Sequence, residues 1–211
     1  MGAFVLLLLA VAVFAVNAAN NSNPVVKAFT ENQLVPDILP QAPDALLDVE
    51  YKKSGKVVSL GNEIAPVDVR EAPQVTFKAD AKDFYTLQFV DPDAPSRTNA
   101  TKRSVNHWLV VNIPASDVSK GQTLTEYLGS GPPKGSGLHR YIFLLYRQPG
   151  KLTFDEKLIS SEELTGRPLH SAQKFAENYK LELQAGNFYQ AQYDDSVLEL
   201  QKRLNIAPAP V

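Results

Sequence analysis

Along most of the chain, apolar and polar positions alternate in short runs cut by proline and glycine. Only near the two ends does the spacing lengthen to that of a helix. Val25 to Asn32 carries apolar residues at Val25, Val26, Ala28 and Phe29, which predicts a short peripheral helix before the breaks at Pro36 and Pro40. Leu47 to Tyr51 and Lys56 to Val58 predict two strands around the Ser54-Gly55 turn, and Gln74 to Phe77 predicts one more strand edge. Phe84 to Val90 is aromatic and β-branched, and it stops at Asp91-Pro92 because proline lacks the donor a central strand needs.

His107 to Ile113 is the next strong strand, closed by Pro114, and His139 to Arg147 is the most hydrophobic of all. Alternation in the latter places His139, Tyr141, Phe143 and Leu145 on one face, with Arg140, Ile142, Leu144 and Tyr146 on the other. Between these strands, Ser116 to Leu128 predicts a loop with a helical turn. The period then changes: Ser171 N-caps a helix to Leu181 with Ala172, Phe175, Ala176 and Tyr179 on one stripe. Phe188 to Tyr193 predicts a strand, Asp195 to Leu204 a closing helix with Val197, Leu200 and Leu204 inward, and Pro208 and Pro210 a loose tail. The expected fold is mainly β with peripheral helices, built on a large antiparallel or mixed sheet.

Composition narrows the class. The 211 residues contain no low-complexity linker, which predicts a single domain over residues 19–211 with its core at about 25–205. A net charge of −2 gives no basic face for nucleic acid. Ala3 to Val16 is an unbroken apolar run, short for a bilayer span, and it ends in the small residues of Val16-Asn17-Ala18-Ala19. It predicts a signal peptide over residues 1–18, hence secretion and no transmembrane segment in the mature chain. No Lys or Arg precedes the run, so the α-amino group is its only positive end, and an uncleaved anchor is the alternative. The chain has no cysteine, so its stability comes from the core alone, while sequons at Asn20 and Asn99 are candidate glycosylation sites.

Candidate chemistry sits in two stretches, Asp91-Pro92-Asp93-Ala94-Pro95-Ser96-Arg97 and Gly129-Ser130-Gly131-Pro132-Pro133-Lys134-Gly135-Ser136-Gly137-Leu138-His139-Arg140-Tyr141. A strand delivers Asp91, while the rigid prolines leave Asp93, Ser96 and Arg97 to fix the loop. His107 and His139 each open a strand, so a carboxylate between them holds one ring nitrogen, favours the charged imidazole and leaves the other nitrogen to a pocket. Tyr141 shares the face of His139, and the glycine segments let backbone N–H groups approach an anion. Together these define a site for a phosphate-type headgroup. Arg97, Lys102, Arg103, Lys134 and Arg140 form either a basic rim or ordinary solvated loop charge. Trp108 is expected to face opposite to His107 and enter the core, and His170 is expected to be structural. No H-E-x-x-H spacing supports a metal site, and no G-x-S-x-G elbow presents Ser96 or Ser104 as a nucleophile, so neither enzymatic activity nor a cofactor is expected.

The two stretches, DPDAPSR and GSGPPKGSGLHRY, resemble the signature motifs of the phosphatidylethanolamine-binding protein family, and the likeness runs from about Val25 to Asn205. The resemblance implies a large central sheet flanked by a smaller sheet and helices, and an anion site at Asp91, His107, Gly131, His139 and Tyr141. Lys102 and Val105 stand where two aromatic residues usually line the mouth, which with Pro132 gives a wider and more basic rim. The implied function is non-catalytic binding of a phospholipid headgroup, plausibly of phosphatidylethanolamine, by a monomer. Alternatives are inhibition of a serine protease through protein contact, or carriage of a small hydrophobic ligand.

Overall fold

The computed structural model describes residues 23–206. The expected signal peptide, the Asn20 sequon and the proline tail lie outside the described residues. In chain order the strands are β1 (Ala45–Leu46), β2 (Asp48–Tyr51), β3 (Lys56–Val57), β4 (Gln74–Thr76), β5 (Phe84–Asp91), β6 (Val105–Pro114), β7 (Gln122–Thr125), β8 (His139–Arg147) and β9 (Glu182–Ala191). The helices are α1 (Pro24–Glu31), α2 (Ala172–Asn178) and α3 (Val197–Arg203). Six strands make a large sheet in the order β1-β9-β8-β5-β6-β7, and β3-β2-β4 make a smaller one. The large sheet is mixed, since β1 runs parallel to β9 while the other pairs are antiparallel.

The apolar runs become the centre of the large sheet because both of its faces are covered. Tyr141, Phe143 and Leu145 of β8 pack toward the small sheet with Phe89, Val49 and Tyr51. Ile142, Leu144 and Tyr146 pack the other way, in one cluster with Val25 and Phe29 of α1 and Ala172 and Ala176 of α2. The expected alternation of β8 is what the fold uses. Phe89 stacks on Phe143 at 4.0 Å, and each such fully buried ring contributes roughly 1.5–3 kcal/mol by leaving water. Asn23 caps α1 through the Val25 N–H at 2.9 Å, with Pro24 in its first turn, and Ser171 caps α2 through the Lys174 N–H at 3.2 Å.

Four local expectations change. The Ser116 to Leu128 stretch holds a 3₁₀ turn at Val118–Lys120, but Gln122–Thr125 then forms β7, whose edge pairing with β6 overrides its polar composition. β9 starts at Glu182 and ends at Ala191, not at Phe188 and Tyr193. Its polar first half is extended because Glu182, Leu183 and Ala185 pair with β8, and further along Asn187 bonds Leu47 O, Val58 O and the Leu60 N–H, tying the small-sheet segment to β9. Gly186 admits close neighbours there, since a Cβ would lie 2.8 Å from Pro43 and 3.0 Å from Phe29. In α3, Val197 is buried, whereas Leu200 is half-buried. Finally, β6 begins two residues before His107 and carries a bulge: Phe89 pairs with Trp108 and Val90 with Asn106, so His107 is the extra residue.

Candidate ligand-binding site

β5 runs antiparallel to both β6 and β8, so the end of the first meets the beginnings of the other two. This brings Asp91, His107, His139 and Tyr141 to one rim of the sheet, where with Gly131 they line a cavity of about 160 Å³. Its remaining wall is largely apolar, with Val105, Leu128, Leu164 and Pro168 on one side and Leu200, Leu204 and Ile206 from the C-terminal segment on another. The exposed Lys102 stands at its edge. Pro133, not Pro132, lines the cavity. Pro132 is buried outside the lining, because successive side chains of an extended segment point to opposite sides.

Asp91 pairs with His139, whose Nδ1 lies 2.9 Å from Oδ2, while the other carboxylate oxygen accepts the Asp93 N–H at 2.7 Å. His107 does not share that carboxylate. Its Nδ1 donates to the Leu128 carbonyl at 2.9 Å, and the Leu128 N–H returns to the His107 carbonyl at 2.8 Å. Burial lowers the His107 pKa from its ordinary value, with Asp91 pulling the other way, so the neutral ring is favoured. The expectation of a charged, phosphate-donating His107 is therefore reversed. The bulge also turns His107 to the same side as Trp108: His107 contacts Phe89 and Tyr141 ring to ring at 5.4 and 5.3 Å, and Trp108 packs in the cluster that contains both. Trp108 remains a core residue, as expected, but does not face opposite to His107.

Tyr141 lies between the two imidazoles and is fully buried; its hydroxyl completes no hydrogen bond of normal geometry among the described residues, although the Gly131 backbone and the Asp91 carboxylate stand near enough to act on it. Burial, then the neighbouring Asp91 charge, raises its pKa well above the usual phenol value, so it stays protonated. The second nitrogen of His139 is already engaged, 2.9 Å from Ser136 Oγ. Ser136 escaped the sequence reading, although its position three residues before His139 in a glycine-flanked loop was the available signal.

The basic rim largely dissolves. Arg140 is only 1% exposed and holds Asp93 on the face opposite the cavity. Arg97 bonds Asn32 O and Gln33, and Arg103 bonds Pro92 O, so these guanidiniums fix the motif loop to its surroundings. Lys134 sits 5.8 Å over the Tyr193 ring. A residue outside both motifs also positions the site: Arg167, fully buried, donates to the carbonyls of Asn106, His107, Glu126, Ser160 and Glu163. Desolvation lowers its pKa to about 10, which leaves it charged at neutral pH. The glycines serve packing as well as backbone approach. A Cβ on Gly129 would lie 2.5 Å from the Val69 carbonyl oxygen, and one on Gly131 2.6 Å from Leu200. His170 is structural, as expected, donating to Gln88 Oε1 at 2.8 Å.

Signature loops, two-sheet topology and cavity together define one class, and comparison with known proteins agrees. The family described as phosphatidylethanolamine-binding protein matches residues 42–189, and the chain belongs to it. Among its relatives, a Drosophila melanogaster protein named "Putative odorant-binding protein A5" is 38% identical over 186 residues, 88% of each chain. The fold is similar to that of carboxypeptidase Y inhibitor, solved with its cognate proteinase, at a TM-score of 0.68 and 28% identity over 81% of this chain and 95% of that one. It is also similar to a phosphatidylethanolamine-binding protein from Plasmodium vivax, at 0.64 and 25% over 82% and 99%. No helix among the described residues is long and apolar enough to cross a membrane.

Proposed function

We propose that this protein is a non-catalytic binding protein that holds the oxygen-rich head of a small amphipathic ligand, a phosphate-bearing headgroup in the first instance, against Asp91, His107, Gly131 and Tyr141. The observation that carries this reading is the buried Tyr141 hydroxyl with no partner at the cavity wall. Leaving such a group unpaired costs about 1–3 kcal/mol, which a ligand oxygen recovers. The size of the cavity, about 160 Å³, falls below the roughly 300–1,000 Å³ that encloses a drug-sized ligand, so a lipid would leave its tails outside. Apolar walls fit the neighbouring part of such a ligand, and the names of the family and of the Drosophila relative support ligand carriage. We further propose export of the protein on the strength of its apolar N-terminal run, with the exposed Asn99 as a glycan acceptor.

Calorimetric titration with phosphoethanolamine tests the reading. The wild-type protein is expected to bind, and Tyr141→Phe, which removes only the hydroxyl, to bind about fivefold more weakly. Equal affinity of the two proteins would refute the assigned contact. The second reading, inhibition of a protease through protein contact, is favoured by the likeness to carboxypeptidase Y inhibitor. A panel of serine proteases assayed with excess protein tests it, and undiminished activity throughout would exclude it for the enzymes assayed.

A further inference from the structure

Hydrogen-bonding groups on the cavity floor are unequally divided between donors and acceptors. The reciprocal bonds between His107 and Leu128 place a proton on Nδ1, and Nε2 bonds no protein atom among the described residues. In a neutral ring of that tautomer, Nε2 presents a lone pair and accepts only. Burial favours this neutral form most, Asp91 and the bond to the Leu128 carbonyl oppose it, and Arg167 and His139 add to the effect of burial. Asp91 is itself an acceptor, already taking the Asp93 N–H and the His139 Nδ1. His139 commits its Nε2 to Ser136, a residue that does not line the cavity. Among the described residues, Lys102 is the one Lys or Arg of the lining, and it lies exposed at the mouth. The Tyr141 hydroxyl is then, among the described residues, the remaining side-chain donor beside Asp91 and His107, with the half-buried Gln201 amide on the C-terminal wall.

Beside the Tyr141 hydroxyl and the Gly131 N–H, an anion without a proton meets a carboxylate and the His107 lone pair here. We infer that the site selects ligands that bring a hydrogen-bond donor of their own to His107 Nε2: the P–OH of a singly protonated phosphate monoester fits, whereas sulfate and a dialkyl phosphate do not. This rests on the reading of the Asp91 cavity as the ligand site, and it names the protonation state that the site accepts. An ammonium elsewhere in a headgroup offers the same donor chemistry from a different source.

The test is calorimetric titration of the full mature chain with methyl phosphate, dimethyl phosphate, sulfate and glycerophosphoethanolamine at pH 5.5 and pH 8. Methyl phosphate, with a second pKa of about 6, is expected to bind more tightly at the lower pH, by about tenfold or more. It is also expected to exceed dimethyl phosphate and sulfate at least about tenfold there. Glycerophosphoethanolamine binding where dimethyl phosphate fails would support the proposal and assign the donor to the ammonium. A charged His107 acting as donor would also strengthen binding at pH 5.5, but it would serve all the oxyanions alike. Sulfate or dimethyl phosphate binding as tightly as methyl phosphate therefore overturns the proposal. Failure of all four probes would remove the ligand-site reading beneath it instead.

Discussion

The same two motifs make two acid–base pairs, one on each face of the sheet. Asp91 meets His139 at 2.9 Å beside the cavity, and Asp93 meets Arg140 at 2.6 Å on the opposite side. All four side chains are nearly or fully buried, so burial does not distinguish the pairs. Saturation does. Arg140 places Nε and Nη2 on the two oxygens of Asp93 and Nη1 on the carbonyls of Asn32 and Gln33, and Asp93 also takes the Arg140 backbone N–H. The Asp91–His139 pair instead borders a cavity and an unpartnered Tyr141 hydroxyl. One pair is closed and fastens α1 to the sheet rim, while the other leaves bonding capacity for something else.

The largest effect is expected on the closed side. Arg140→Leu leaves a buried carboxylate without its partner and should lower the unfolding free energy by about 3–5 kcal/mol, read from urea denaturation. A loss below about 1 kcal/mol would mean that Asp93 relaxes to water and that the pair is no clamp.

How far this division was visible beforehand depends on register. On β8 the alternation is uninterrupted, so the sequence places His139 and Tyr141 on one face and Arg140 on the other, and the structure agrees. On β6 the bulge inserts His107, which no period-two pattern reveals, and the orientation of Trp108 came out wrong as a result. Which imidazole takes the carboxylate was equally hidden, because it depends on where the Leu128 carbonyl falls after a loop. Arg167 binds only backbone carbonyls, and such a partner set leaves no complementary residue in the text to search for. By contrast, the sheet architecture and the convergence of Asp91, His107 and His139 on one rim follow from strand ends that proline and glycine mark plainly.

A second contrast between scaffold and site is pH. Burial holds His170 at about 4 instead of 6.5, and His107 shifts in the same direction. Below pH 6.5 the unfolded chain takes up protons that the folded chain refuses. Stability is therefore complete above 6.5 and falls as the pH drops toward 4, by about 3 kcal/mol for His170 alone. Burial pushes the Asp93 carboxyl up, but its bonds to Arg140 outweigh that and hold it below its usual 3.8, so the clamp's contribution is lost only at lower pH, as the folded carboxyl is protonated. Urea denaturation at pH 7.0, 5.5 and 4.5 should show the decline, and His170→Asn should flatten it. An unchanged slope in that variant would place the titrating group elsewhere.

The smallest expected effect concerns the link between the open pair and its loop. Ser136 Oγ lies 2.7 Å from the Pro133 carbonyl and 2.9 Å from His139 Nε2. A hydroxyl has one proton, so if it donates to Pro133 it must accept from the imidazole. The Ser136 N–H also donates to the Pro133 carbonyl at 3.1 Å, while Gly135 and Gly137 adopt φ of +79° and +77°, and a Cβ on either would meet nothing within 4 Å. Ser136→Ala should therefore lower stability by less than about 1 kcal/mol. Its consequence for binding decides what the bond is for. Released from Ser136, His139 Nε2 becomes a donor available to an oxyanion, and methyl phosphate affinity should rise a few-fold. If Asp91 alone fixes the ring, affinity stays constant; if the hydroxyl positions the ring for ligand, affinity falls. Only the rise is consistent with Ser136 holding the open pair back from its ligand.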